Sequence, residues 1–198
     1  MAQSRSAESS GRKLLEWQLT DADEAGVAYL GLPVSGSDAR AILRGKFPAS
    51  IARARVTRPG RFTDMHSLGW PGLYALSSSM VAEVVRFAGT VLRPLNIDSG
   101  SGGYSILGVT GRCGSVDYSQ SQQLERSDGF VRLRGLHVSE PEAPVDFAVP
   151  TNRESILVTS AVVAALKAPR FRNVRFRPLA SIEFDIPEEL LSGESRGC

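Results

Sequence analysis

The sequence predicts an α+β fold: a mixed or antiparallel sheet with two repeated strand–helix–strand units packed into one core. Three observations carry that expectation. Short apolar stretches of strand length recur along the chain, bounded by Gly, Pro, Ser and Asp. Two stretches with a helical apolar period, LSSSMVAEVVR at 76–86 and LVTSAVVAALK at 157–167, resemble one another. The composition is globular, with 42% hydrophobic and 22% charged residues over 198 positions, a length that suits one domain.

Residues 1–12, rich in Ser, Arg and Glu, read as a flexible leader. Leu15, Trp17 and Leu19 alternate with Glu16 and Gln18 and predict a first strand. Val27 to Leu32 predicts a second, ended at Gly31 and Pro33. Ser37–Asp38 is a candidate cap for a short helix through Leu43, which Gly45 would stop. Ile51 to Val56 is a weaker strand pattern, and RPGRFTDMHSLGWPG is a connection without period. LYAL from Leu73 is a strand, Ser77 to Ser79 are cap candidates, and MVAEVVRFA is a helix that buries Val81, Val84, Val85 and Ala88. Gly89 closes that helix. TVLRPLNI is a strand whose Pro94 restricts it to an edge or a strand end.

After the flexible SGSGG at 99–103, YSILGVTGR predicts another strand. CGSVDYSQSQQLERSDGF is polar and turn-rich, VRLRGLHV is a strand, and SEPEAPVD is a loop. The second helical stretch follows. Leu76 aligns with Leu157, Ser79 with Ser160, Val81 with Val162, and both copies lead to Arg-Pro-Leu, at Arg93–Leu95 and Arg177–Leu179. The predicted organisation is a single α+β domain over 13–192, repeat units at about 73–111 and 155–186, and a frayed tail at 193–198.

Net charge is +2, and 20 of the 23 basic residues are Arg. Seven basic residues and no acid occur from Arg40 to Arg61, and five more from Lys167 to Arg177. These blocks read as solvated faces, with phosphate contact as the alternative; interleaved aromatic stacking platforms are missing. No apolar run reaches the roughly 18–20 residues of a membrane helix, and MAQSRSAESSGRK has no apolar stretch of a signal peptide. A cytoplasmic protein with no membrane partner is therefore expected. Cys113, Cys198, His66 and His137 are too few and too scattered to build a soft-metal site, so neither metal nor cofactor is expected.

A nucleophile needs a base within hydrogen-bond reach. Cys113 with His137, and Asp64 with His66, supply the residue types for a small hydrolase. Neither pair sits on a strained elbow or a phosphate cradle, and the expectation is a protein that is not an enzyme. SGSGG lacks the Lys and Ser/Thr of a phosphate-binding loop.

Residues 47 to 179 carry an ordered series of pieces: PGRFTDMHSLGWPGLYALSSSMVAEV, VLRPLNI, GYSILGVTGRCGSVDYSQS and DFAVPTNRESILVTSAVVAALKAPRFRNVRFRPL. In this order they resemble the family-eleven immunity proteins of bacterial polymorphic toxin systems. Tyr104, Leu107, Val109, Asp117, Tyr118 and Ser121 occupy the places of that family's aromatic–leucine–asparagine–valine and Asp–aromatic–x–x–Ser segment. Gly108 stands where the family has Asn, and Gly111 and Gly114 interrupt a segment that is usually more apolar. The closing piece is also similar to the double-CxxCG immunity proteins of myxobacteria, whose paired CxxC elements this chain lacks.

The resemblance implies a non-catalytic α+β inhibitor that binds a cognate toxin domain. Loops carry recognition more often than packed elements, which directs attention to 115–129 and 58–71. Tyr118, Arg126, Asp128 and Trp70 are the candidate partner contacts, while Asp117 and Ser121 are expected to stabilise a turn. The Arg-rich blocks imply an acidic toxin surface.

Overall fold

The computed structural model describes residues 13–98, 103–141, 143–167 and 169–191. The leader at 1–12, most of SGSGG and the tail at 193–198 lie outside the described residues. The chain is mixed α+β, built mostly of strands. In order come β1 (Leu15–Asp21), β2 (Tyr29–Gly31), α1 (Gly36–Leu43), β3 (Arg55–Arg58), β4 (Met65–Ser67), β5 (Tyr74–Ser77), α2 (Ser78–Val84), β6 (Thr90–Leu95) and β7 (Tyr104–Val109). There follow β8 (Arg112–Cys113), β9 (Gln122–Ser127), β10 (Phe130–Arg134), β11 (Phe147–Pro150), β12 (Ile156–Thr159), α3 (Ser160–Leu166), β13 (Val174–Pro178) and β14 (Glu183–Pro187).

Four sheets result, with strand orders β13-β1-β12-β11-β8, β4-β5-β7-β6, β14-β10-β9 and β2-β3. All pairings between these strands are antiparallel except β8 with β11. In the five-stranded sheet β1 lies between β12 and β13; in the four-stranded sheet β7 lies between β5 and β6. Pro94 stands on β6, an edge strand, where a residue without an N–H costs no ladder bond on the open side.

The expected single core is two apolar clusters divided by the five-stranded sheet. Ile156 and Val158 of β12 belong to the main cluster and Leu157 to the second, so every residue of this strand is buried. Neighbouring β11 divides likewise: Phe147 and Val149 join the main cluster and Ala148 the second. Side chains alternate across a pleated strand, so apolar residues at successive positions require cover on both faces. α1, α2 and α3 contribute Ile42, Leu43, Met80, Val84, Val162 and Leu166 to the main cluster. The three-stranded sheet covers the other face with Val131, Leu133, Phe184 and Ile186.

Several boundaries differ from the sequence expectation. α1 is capped by Ser35, whose Oγ accepts the Asp38 N–H at 3.1 Å, two residues before the expected cap. α2 ends at Val84; Val85, its C-cap, is 60% exposed, and Ala88 beyond it is exposed too, so neither is buried as expected. After Val85 the backbone tightens: Arg86 N–H donates to Glu83 O and Phe87 N–H to Val84 O. Ser77 caps α2 through Met80 N–H at 3.3 Å, whereas Thr159, just before α3, donates its hydroxyl to Asp146 and leaves α3 without a side-chain cap. The helices start at Ser78 and Ser160, so the expected alignment of Leu76 with Leu157 and Val81 with Val162 is one residue out of step, and Leu76 and Leu157 lie in different clusters. The connection at 58–71 contains β4.

Gly108 and Gly111 are required by close approach. A Cβ at Gly108 would lie 2.9 Å from the Gly45 Cα and 3.0 Å from Ile42 O, where the end of α1 crosses β7. At Gly111 it would lie 2.0 Å from the carbonyl oxygen of Phe147, closing the space that lets β8 lie beside β11.

Candidate partner-binding site

The stretch expected to be polar and turn-rich forms a β-hairpin. Asp128 and Gly129 connect β9 to β10 with φ of 50° and 78°, the left-handed pair of a two-residue hairpin turn. Along β10, Val131 and Leu133 point to the second cluster while Phe130, Arg132 and Arg134 are exposed. β14 repeats this alternation with Phe184 and Ile186 buried and Glu183 and Asp185 exposed.

The outer face is a lattice of charge. Arg132 Nε lies 3.1 Å from Asp185 Oδ1, and its other arm lies 3.5 Å from Glu125; Arg134 pairs with Glu183. The Asp185 carboxylate holds the Arg132 guanidinium above its ordinary pKa. A shallow depression of about 470 Å³ opens on this face, lined by Glu125, Ser127, Asp128, Phe130, Arg132 and Asp185. Three carboxylates thus surround one guanidinium and an aromatic ring that is 53% exposed. β9 occupies a sheet edge, and all six of its residues are exposed, Leu124 among them.

Of the residues singled out in the sequence, Asp128 lies in this depression. Arg126 pairs with Val131 in the ladder, on the opposite face from Glu125, and meets Glu188 at 2.7 Å. Tyr118 was expected to be an exposed contact, but it is half-buried; its ring packs 6.0 Å from that of Phe184. It sits in a 3-10 turn that Asp117 caps by accepting Ser119 N–H at 3.0 Å and Gln120 Nε2 at 2.6 Å. The Ser119 hydroxyl, which donates to Asp117 at 2.6 Å, together with Gln120, holds the Asp117 carboxyl below its usual pKa. Ser121 donates to Gly135 O at 2.6 Å.

Trp70 belongs to a different depression, with Tyr29 and Tyr74. It is half-buried over Gly36 and donates to Leu32 O at 3.3 Å. Phe130, Glu125, Arg132 and Asp185 escaped the sequence reading. The Asp-Gly pair in SDGF was the signal that could have found the hairpin.

The residues considered for catalysis are held in other roles. Cys113 is buried, and burial pushes its thiol up to about 11, which disfavours the thiolate a nucleophile needs. His137 is exposed, and its carbonyl accepts the Asp117 N–H. His66 is 1% exposed, accepts the Thr63 N–H on Nε2 at 2.9 Å and places Nδ1 3.0 Å from Ala28 O. Nδ1 therefore carries the proton, and burial lowers the pKa of the ring. Asp64 instead accepts from Ser77 Oγ at 2.7 Å, Ser79 Oγ at 3.0 Å and Arg172 N–H at 2.9 Å. Among the described residues no three His, Cys, Asp or Glu side chains are grouped to hold a metal ion, and no helix is long and apolar enough to cross a membrane.

The basic blocks are partly engaged within the chain. Arg58 stacks over the Tyr29 ring at 3.6 Å, Arg61 pairs with Glu24, Arg170 pairs with Glu83, and Arg175 donates to Ala22 O. Compared with protein-family models and with curated proteins, the chain matches none.

Proposed function

We propose that this chain is the immunity partner of a bacterial toxin domain, a non-catalytic inhibitor that acts in the cytoplasm by covering a functional surface of that toxin. The observation that carries this reading is the β9–β10 hairpin, with its open edge and with Phe130 exposed among charged neighbours. Aromatic and Arg side chains are the usual anchors at the centre of a specific protein interface, with polar and charged groups toward its rim. The free edge of β9 offers main-chain groups to an extended segment of a partner. The order of sequence pieces from 47 to 179 supports the family-eleven assignment on the residues quoted above.

The charge around Phe130 modifies the expectation of an acidic toxin surface. With Glu125, Asp128 and Asp185 against Arg132, this part of the interface favours a cationic complement. We also read the stretches at about 73–111 and 155–186 as two copies of one unit. That reading is supported by the common order of β5-α2-β6 and β12-α3-β13 and by the antiparallel strand that separates the outer pair in each sheet.

The test is co-expression with the C-terminal domain encoded by the upstream neighbouring gene, followed by co-purification and a growth assay. A stoichiometric complex with restored growth is expected, and Phe130→Ala should weaken the complex by roughly tenfold or more without lowering the melting temperature. A neighbour that is harmless, or that does not bind, would remove this reading.

A further inference from the structure

We propose that Arg153, with Arg177 beside it, receives the carboxylate of an acidic side chain presented by a protein partner, at the seam between the five-stranded and three-stranded sheets. This rests on the partner-binding reading above and names a second point of contact with its own chemistry.

The first observation is a cation without an anion. Arg153 lies between β11 and β12, and its guanidinium stacks 4.6 Å from the centre of the Phe184 ring in β14. Its Nε donates to Ser155 Oγ at 3.2 Å, and the Tyr118 hydroxyl lies within its reach. Half-burial lowers its pKa, and the nearby charge of Arg177 lowers it further. Arg40, Arg61, Arg86, Arg126, Arg132, Arg134 and Arg170 all pair with carboxylates; among the described residues none pairs with Arg153 or Arg177. A half-buried guanidinium with a second positive charge in its neighbourhood is unfavourable until an anion joins it.

The second observation is an acceptor without a donor. Gln18, the ladder partner of Arg177, donates Nε2 to Ser155 Oγ at 3.2 Å, while its Oε1 is buried and unpartnered. An aspartate or glutamate within a peptide carries the two missing groups together, a carboxylate for Arg153 and a main-chain N–H for Gln18, whose amide must turn toward the depression to accept it.

The third observation is the space itself. Gln18, Tyr74, Arg153 and Ser155 line an open depression of about 380 Å³, and Glu154, the acid at its rim, is engaged by Arg40. A site for a small molecule encloses most of its ligand. An open depression leaves that burial to whatever carries the carboxylate, which favours a protein surface as its source.

The test begins with the isolated chain. Acetyl-aspartyl-N-methylamide is titrated while the Nε–Hε signal of Arg153 and the side-chain amide of Gln18 are followed by NMR. Both signals should move saturably at roughly millimolar probe. The matching asparagine probe, and chloride at equal ionic strength, should leave them unmoved. Arg153→Gln should abolish the response at Gln18, and Arg177→Gln, which leaves the Phe184 stack in place, should weaken it several-fold. No movement, equal movement with chloride, or movement with inorganic phosphate alone would overturn the assignment.

In the complex with the toxin domain, Arg153→Gln should weaken affinity by about 30-fold, and Arg153→Lys should recover part of that loss. The two readings fail separately. Loss of all toxin binding removes the proposed function and leaves the titration to stand, whereas an intact complex beside a silent titration removes the Arg153 site alone.

Discussion

Lys13 and Asp146, 133 residues apart in sequence, meet with Nζ 2.8 Å from Oδ2. The carboxylate is almost wholly buried, and it also accepts the Ala88 N–H at 3.1 Å and the Thr159 hydroxyl at 3.3 Å. One side chain therefore ties together the approach to β1, the turn before β6 and the end of β12. Its partner ammonium is half-exposed, so the two ends of this contact are unequal.

Removing the buried end should cost most. Asp146→Ala is expected to destabilise the chain by about 3–5 kcal/mol, because the Ala88 N–H and the Thr159 hydroxyl lose their acceptor inside the protein and the Lys13 ammonium loses its partner. Lys13→Ala should cost about 1 kcal/mol, since water replaces much of what the exposed ammonium supplies. Urea unfolding of the two variants checks the ranking, and equal losses would contradict it.

Two glycines that depart from the immunity-family pattern are places where a side chain has no room. Gly108→Asn should cost about 3 kcal/mol by forcing the end of α1 away from β7. Gly111→Ala should separate β8 from β11 and cost at least as much. For a chain of this size each kcal/mol lowers the melting temperature by about 2–4 °C, which calorimetry resolves.

His66 makes stability depend on pH in a definite direction. Its pKa is lowered by burial from the ordinary 6.5, so below 6.5 the unfolded chain binds a proton that the folded chain resists. The contribution of His66 is complete above pH 6.5 and is lost as pH falls through its folded value. Urea midpoints should therefore decline on acidification from pH 6.5, and His66→Gln should flatten that part of the profile. An NMR titration midpoint for His66 at or above 6.5 would contradict this.

Cys113 should resist alkylation in the folded chain. With its thiol near 11 and buried, iodoacetamide at pH 7.5 is expected to leave it unmodified in peptide mapping, and urea should expose it. Rapid native labelling would restore the case for a cysteine nucleophile.

Much of the main core is legible in the sequence. Trp17 and Leu19 alternate with Gln18 because one face of β1 lies on the main cluster, whereas Leu15, across a register shift, packs against the second cluster; the Ser-rich cap before Met80 announces α2. β9 is not legible by periodicity, because neither of its faces is covered and QQLERS needs no apolar alternation. Val85 misleads because its place four residues after Val81 fits an apolar helical face, yet it is the C-cap of α2 and stands exposed. At the candidate site the polar character of 115–129 pointed to the region. The pairing that brings Arg132 between Glu125 and Asp185 depends on β14, more than 50 residues away, and no local pattern records it.

The position of β1 governs when this protein can exist. Both of its neighbours, β12 and β13, come from residues 156 to 178. During synthesis Trp17 and Leu19 leave the ribosome long before anything can pair with them, and the sheet closes only after residue 178 has emerged. Contacts of such sequence separation form slowly. Until residues 156–178 have been made, the apolar side chains of β1 have no strand beside them, so the growing chain carries exposed apolar surface of the kind that chaperones bind.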